Sequence, residues 1–182
     1  MADDLITIQR IQKLHPKVRN EVLQAYRYVN EKLLGKGVRL RFAYTYRTLK
    51  EQDDIYAEGR TKIYNSAGKR LGIVTWAKGG QSIHNYGLAF DIVLLVDKNN
   101  DGVFETASWD TKTDFDKDGT SDWMEVINYF KSIGWVWGGD WSAGKNDPPH
   151  LEKTFGYNWQ GLQNTINAGK LFRDNDIVYA KI

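Results

Sequence analysis

The length and composition of the chain describe a folded protein and exclude several kinds of chemistry. Of its 182 residues, 41% are hydrophobic, 26% are charged and 3 are proline, which is typical of a globular rather than a disordered protein. We expect one domain over residues 1–182, because a chain of this length forms one complete core but not two. The absence of cysteine excludes disulfides, thiolate metal sites and cysteine nucleophiles. Any metal must be held by nitrogen and oxygen ligands.

The charge of the chain is unevenly distributed. Its net charge is +2, yet the segment 97–125 contains nine acidic residues against three lysines, a local net of −6 that leaves +8 on the remainder. A basic body with one acidic insert is attracted to polyanions in general, including nucleic acids and bacterial wall polymers. Since the sequence has no basic run and no nucleic-acid-binding motif, we expect no nucleic-acid partner.

Neither a membrane span nor a secretory signal is visible in the sequence. No segment approaches the roughly 18 to 20 uncharged apolar residues that cross a bilayer. The first fifteen residues, MADDLITIQRIQKLH, have charges where a signal peptide is apolar. We therefore expect synthesis in the cytoplasm.

The first half of the chain predicts a helix and then a strand. Pro16 suits the first position of a helix, and apolar residues follow it at spacings of three and four as far as Gly35. Apolar and aromatic residues then alternate over 38–46, which indicates a half-buried strand with Arg47 at its end. A short helix over 49–56 and a long loop over 59–80 follow.

The segment 88–96 predicts a buried strand. It reads LAFDIVLLV and is apolar except for Asp91. An ionised carboxylate in an apolar interior costs several kcal/mol without a partner. We therefore expect Asp91 to face a cation or a metal.

The remaining periodicity predicts short helices and strands, from which we predict an α+β fold with a small antiparallel sheet flanked by helices. Each short apolar segment is bounded by Gly, Pro or Asn. The predicted elements are a helix over 123–133, strands over 135–137 and 150–153, a loop over 138–149, a helix over 159–168 and a strand over 177–180.

Histidines and carboxylates form a candidate metal site. Of the three histidines, His15 precedes a helix-opening proline and is interpreted as a structural end residue. His84 lies at the mouth of the buried strand, seven residues before Asp91, and His150 begins another strand. Three protein ligands with one position open to water are typical of catalytic zinc. The alternative is that each histidine is only a hydrogen-bonded group near a strand end.

Asp147 is the candidate general base. It lies three residues before His150 in Asp-Pro-Pro-His, and the two prolines stiffen the link. A carboxylate held there can act on water near the metal without becoming a ligand.

Three sequence blocks resemble the zinc DD-peptidase family. SIHNYGLAFD matches the pattern Ser-x-His-x-x-Gly-x-Ala-x-Asp of that family. YRTLKEQDDIYAEGRT resembles its arginine-containing block, and GWVWGGDWSAGKNDPPHLEKTFG resembles its second-histidine block. The family includes D-Ala-D-Ala dipeptidases, DD-carboxypeptidases and phage endolysins that cut between L-Ala and D-Glu. The resemblance covers residues 8–160 and implies the DD-peptidase fold, which hedgehog-like domains share.

The resemblance implies a role for each of these residues. His84, Asp91 and His150 would bind one zinc ion, and Asp147 would activate the water. Arg47 would stabilise the oxyanion, as a permanently charged donor does well; the alternative for it is a surface salt bridge.

Some side chains have two interpretations each. Ser82 would bind substrate or orient the metal ligands, or would merely cap a loop. Trp76, Tyr86, Trp137 and Trp141 would line a peptide groove, or would pack in the core, which we favour for each of them.

The acidic insert contains a candidate calcium loop. Residues 114–125 match the twelve-position loop with oxygen ligands at positions 1, 3 and 5, glycine at 6, a backbone carbonyl at 7 and glutamate at 12. The alternative is a set of solvated turns, since no helix is predicted before the loop. The similar segment 97–102 has Ser108 at position 12 and is interpreted as a hairpin tip. The candidate calcium ligands are Asp114, Asp116, Asp118, Thr120 and Glu125.

The function that the resemblance implies is hydrolysis of cell-wall peptides. The Asp-x-x-His-x-Glu form of the second-histidine block is similar to endolysins that are L-alanyl-D-glutamate endopeptidases. We expect a monomer that acts on the peptidoglycan stem peptide after holin-type release. The alternatives are a D-Ala-D-Ala carboxypeptidase or dipeptidase and, in another class, a non-catalytic zinc-containing wall-binding module.

Overall fold

The strands of the predicted antiparallel sheet pair around one central strand. The computed structural model describes residues 3–182. In it β2 (Ala89–Val96) pairs along one side with β1 (Val38–Tyr44), and along the other with β3 (Thr106–Ser108) and β5 (His150–Glu152). At the edge of the sheet, β4 (Val136–Trp137) pairs with β5, and every strand pair of the sheet is antiparallel. The prediction of an α+β fold with a small antiparallel sheet is confirmed.

The sheet belongs to the first of two compact units. The first unit comprises the chain up to Thr45 together with Ala89–Lys153, and the second comprises Tyr46–Leu88 and Thr154–Ile182. The expectation of one catalytic domain over residues 1–182 stays a prediction. Among residues 3–182, none of the helices has the length and apolar character that spanning a membrane requires.

The helices of the first unit are α1 (Leu5–Ile11), α2 (Pro16–Tyr28) and α4 (Asp122–Ser132). Asp4 caps α1 by accepting from the Thr7 amide. His15 caps α2 through Nδ1, which accepts from the Lys17 amide at 3.1 Å, so its structural interpretation is confirmed. The sequence analysis did not predict α1, although Asp4 at its start is a favourable cap.

The predicted helix from Pro16 towards Gly35 ends differently. The α-helical part ends at Tyr28, and Val29–Leu33 forms a turn of π-helix. Buried Asn30 lies in that turn, where its amide nitrogen donates to Tyr26 O and its amide oxygen accepts from the Leu40 amide. The side chain thus ties the widened turn to β1, a long-range contact that periodicity cannot show.

The predicted strand 38–46 is two residues too long. β1 ends at Tyr44, and its register against β2 shifts between Phe42 and Tyr44. Thr45 has left the strand, and its hydroxyl donates to Arg10 O at 2.8 Å. A bulge of this kind ends pairing locally even where apolar residues continue to alternate.

Aromatic rings fill the core beside the metal-ligand strand. Phe90 stacks on Phe42 at 4.3 Å between centroids and meets Phe130 edge-on at 5.0 Å. All three are fully buried. Because Phe90 precedes Asp91, this packing positions the backbone of the candidate ligand.

The second unit contains α3 (Leu49–Ala57), α5 (Trp159–Asn167) and the hairpin of β6 (Leu171–Asp174) and β7 (Ile177–Ala180). α3 begins with a capping box between Thr48 and Glu51. The sequence analysis predicted β7 but missed β6. The sequence signal for this hairpin was the pair Asn175-Asp176 between the two strands. Both residues take positive φ angles, 48° and 64°, as a tight hairpin turn requires.

Candidate metal centre

The register of the sheet places two of the predicted ligands opposite each other. Asp91 on β2 pairs with His150 on β5, and directly opposed residues bring their side chains close. Asp91 Oδ1 lies 3.2 Å from His150 Nδ1, and the two side chains are 14% and 7% exposed. The partly buried carboxylate therefore faces an imidazole, as its energetic cost in an apolar strand required.

His84 lies on a single turn of 3₁₀-helix, Ile83–Tyr86. Gly87 ends the turn with a φ of +68°, a conformation that favours glycine. The buried Asn85 side chain accepts from the Gly80 amide at 2.9 Å and from the Ser82 amide at 3.3 Å. Ser82 is the N-cap of this turn, which agrees with the loop-capping interpretation; its contact with substrate stays a prediction.

The predicted ligands belong to different units of the chain. Asp91 and His150 lie in the first unit, and His84 lies in the second. One ligand atom of Asp91 and one of His150 lie within 4.8 Å of each other, and zinc bonds of about 2.0 to 2.2 Å place neighbouring ligand atoms within that distance. An imidazole and a carboxylate are donors that suit this ion, and His84 as the third ligand stays a prediction.

Glu152 is a neighbour of the centre that the sequence analysis did not assign. Its Oε2 lies 3.0 Å from His150 Nε2. Burial alone lowers the pKa of His150, but its hydrogen bonds with Asp91 and Glu152 raise that pKa to about 9. The sequence contained a signal for this contact: Glu152 lies two residues after His150, and alternate residues on a strand share a face. Such carboxylates commonly orient the imidazole of a metal ligand.

Asp147 lies on a constrained turn before His150. Its amide donates to Gly138 O at 2.9 Å, and its carbonyl accepts from the His150 amide at 3.1 Å. A Cβ at Gly138 would lie 2.5 Å from Asp147 O, so only glycine fits there. Trp137 Nε1 donates to Pro148 O at 2.7 Å. The turn is held as its prolines predict, while the role of Asp147 as a base stays a prediction.

Arg47 is connected to the turn of His84 and to a buried glutamine. Its amide donates to His84 O at 3.1 Å, and its Nη1 donates to Gln52 Oε1 at 3.0 Å. Gln52 is fully buried, and its Nε2 donates to Ala77 O at 2.9 Å. The sequence analysis missed Gln52, because only the fold shows that this helix position faces inward.

The four aromatic groove candidates have different environments. Tyr86 is buried, its hydroxyl donates to Gly80 O at 2.7 Å, and burial raises its pKa to about 12. Core packing is therefore confirmed for Tyr86. Trp76 is 77% exposed, and the Trp141 ring lies 5.1 Å from that of His150.

The acidic insert brings its predicted carboxylates together. Asp114, Asp116 and Asp118 form one close group, and Glu125 joins Asp116 in another. The Thr120 amide donates to Asp118 Oδ1 at 2.8 Å. Segment 97–102 connects β2 towards β3 and folds on itself through the Asp97 carboxylate, which accepts two amides of the same segment, so its interpretation as a hairpin tip is confirmed.

Comparison with known proteins finds peptidases that are similar to this chain. Residues 75–153 match a peptidase family described as D-alanyl-D-alanine carboxypeptidase. The matched segment contains all three candidate ligands and Asp147. The chain is also 44% identical, over 118 residues, to the peptidoglycan L-alanyl-D-glutamate endopeptidase CwlK of Bacillus subtilis (strain 168). Over these segments the chain is similar to peptidases of this kind, and that it is itself a zinc DD-peptidase stays a prediction.

The similarity covers only part of each protein. The match to CwlK spans 65% of this chain and 62% of that relative. A solved vancomycin-resistance D,D-pentapeptidase, VanY in complex with Zn(II), is 22% identical and covers 76% of this chain and 71% of its own, with a TM-score of 0.41.

Under the peptidase function proposed below, replacing Gln52 with Met is expected to lower kcat about tenfold. The substitution removes the acceptor that holds the Arg47 guanidinium, and loss of one oxyanion donor costs roughly 10²- to 10³-fold. Metal content should not change. Steady-state kinetics on muropeptides and metal analysis check this, with exposed Asp54→Asn on the same helix as control. An unchanged kcat with only a lower Tm would show that Gln52 is merely structural.

Proposed function

We propose that this protein is a zinc-dependent peptidoglycan peptidase that cleaves the bond between L-alanine and D-glutamate in the stem peptide. The observation that carries the proposal is the position of Asp91 directly opposite His150, 3.2 Å away, in the paired strands β2 and β5. The family resemblance adds His84 as the third zinc ligand. The choice of bond is supported by the 44% identity to a relative whose name specifies that bond. The polar turn of Asp147 and the fixed Arg47 supply the remaining groups that amide hydrolysis needs.

The metal that fits the site is zinc. Two imidazoles and one carboxylate are a frequent set of ligands for catalytic zinc and leave a coordination position for substrate or water. Bound there, zinc supplies a Lewis acid that polarises the scissile carbonyl and makes water acidic enough to lose a proton near neutral pH. Glu152 Oε2 accepts a hydrogen bond from His150 Nε2–H and so orients that imidazole.

The residues of the chain move the proton and hold the charge. Asp147 takes a proton from the attacking water as the oxygen of that water bonds to the carbonyl carbon. The guanidinium of Arg47, held by Gln52, donates to the oxygen that becomes negative. Asp147 then delivers the proton to the departing D-glutamate amine as the carbon–nitrogen bond breaks.

A second activity is favoured by one observation. The matching family is described as D-alanyl-D-alanine carboxypeptidase, and both reactions need the same hydrolytic centre. The two differ in the peptide that occupies the groove. Our proposal follows the longer match, 118 residues, rather than the family description.

The experiment that tests the function is a digest of purified muropeptides analysed by mass. An L-alanyl-D-glutamate endopeptidase releases the stem peptide behind L-alanine, whereas a carboxypeptidase or dipeptidase releases only terminal D-alanine. Release of D-alanine alone would replace the proposed specificity with the second one. Binding to intact wall without any cleavage would support the non-catalytic module instead.

We also propose that the enzyme reaches the wall after holin-type release. Substrate peptides lie outside the cytoplasmic membrane, so the protein must cross it before acting. Expression with and without a holin, followed by turbidity measurement, tests this. Lysis that does not depend on the holin would contradict it.

A further inference from the structure

The acidic insert contains a second group of carboxylates that the proposed peptidase chemistry does not use. One oxygen from each of Asp114, Asp116 and Asp118 lies within 4.8 Å of the others, and the same holds for Asp116, Asp122 and Glu125. Asp116 belongs to both groups. Five carboxylates therefore surround one small region at the start of α4.

Two of these carboxylates have buried oxygen atoms without a protein partner. Asp122 is fully buried; its Oδ2 accepts from the Phe115 amide at 2.6 Å, but its Oδ1 has no hydrogen-bond partner among the described residues. Glu125 Oε2 is likewise buried and unpartnered within the part of the chain that the structure describes. A buried carboxylate oxygen without a donor is costly, so each requires a partner.

A cation suits the missing position better than another side chain does. The five carboxylates form two overlapping groups, in each of which one ligand atom per residue lies within 4.8 Å of the others. The loop carries Lys117, but its amide, not its ammonium group, contacts Asp114 in the described hydrogen bonds. Like charges at this density are stable when a multivalent cation lies between them.

The spacing of the ligands selects calcium. Asp122 is position 9 and Glu125 position 12 of the twelve-position loop that starts at Asp114, and Gly119 at position 6 has a φ of +102°, as the sharp turn there requires. All donors are oxygen, which disfavours zinc. We propose that this loop binds one Ca²⁺ ion through the carboxylates of Asp114, Asp116, Asp118, Asp122 and Glu125 and the carbonyl of Thr120.

Calcium binding would stabilise the first turn of α4 and its attachment to the rest of the unit. Glu125 lies in that turn, two residues after Trp123, and the Trp123 side chain is fully buried. Asp116 Oδ2 also accepts from the Gly35 amide at 2.6 Å, so the loop is tied to the chain after α2. The ion would therefore join segments about 80 residues apart. This inference does not depend on the peptidase activity.

Calorimetric titration of the 182-residue chain with CaCl₂, after treatment with EDTA and dialysis, tests the site. We expect one ion per chain, and a rise in Tm of about 5 °C or more at a calcium concentration 100 times Kd. Glu125→Gln should weaken binding at least tenfold. Asp101→Asn, which removes the same charge from the hairpin tip, should bind normally, and His150→Ala should also bind normally.

The sign of the stability change separates a site from general charge screening. Without calcium, Glu125→Gln removes a buried unpaired carboxylate, so its Tm should equal or exceed that of the wild type. With calcium the order should reverse. No heat and no Tm shift up to 5 mM CaCl₂, or equal weakening by Glu125→Gln and Asp101→Asn, would overturn the proposal. Loss of binding in His150→Ala would assign the ion to the other centre.

Discussion

Asp147→Asn is expected to lower kcat for muropeptide cleavage about 10²- to 10⁴-fold, the usual contribution of a general acid–base group. The amide keeps the shape of the side chain but cannot take the proton of the attacking water. The backbone hydrogen bonds of the turn, to Gly138 O and from the His150 amide, do not involve the side-chain carboxylate. The turn and the zinc content should therefore be preserved.

The kinetics of Asp147→Asn are compared with those of Asp140→Asn. Asp140 is an exposed aspartate in the same region, paired with Lys131 at the surface, and surface pairs contribute little. Its variant should retain wild-type kcat. If Asp147→Asn retained full activity with one zinc per chain, another group would have to be the base and the proposed mechanism would be wrong.

His150→Ala is expected to lose both the bound metal and the activity. Substitution of groups that merely orient a metal ligand costs about 10- to 100-fold, and removal of one of only three ligands should cost about 10³-fold or more. Metal analysis should find zinc well below one ion per chain. The rate should fall to that of the metal-stripped wild type.

Adding zinc back to metal-free protein distinguishes His150→Ala, which loses a metal ligand, from Asp147→Asn, which loses the general base. Zinc added after EDTA treatment should restore the activity of the wild type. Asp147→Asn should bind the added zinc but keep its low kcat. His150→Ala should regain neither bound zinc nor activity. His15→Ala is the matched control, since it removes the imidazole that caps α2. It should lose stability but no zinc. Full activity of metal-free wild-type protein would refute a metal-dependent reaction.

The candidate ligands could be proposed from the sequence because their signals are local. A charged residue inside an apolar strand requires a partner, and this identified Asp91. Two polar segments around His84 and His150 supplied imidazoles at the ends of strands. Residue types, spacing and the family resemblance together named three candidate ligands without knowledge of where the strands pair.

The positions that were missed depend on long-range contacts. Gln52 lies on a helix whose periodicity does not show that it holds Arg47. The partnerless oxygen of Asp122 follows from burial against distant core residues. Glu152 was visible in the motif, but its contact with the His150 ring depends on side-chain directions in a paired strand.

The amino-acid order alone determined the elements of this protein, the turns that end them and the identity of the candidate ligands. Those features follow from interactions between residues a few positions apart. Pairing, register and burial depend on segments separated by tens of residues, as when β2 places Asp91 opposite His150. The folded chain therefore decided which carboxylates face an imidazole, which face a buried amide and which are left without a partner.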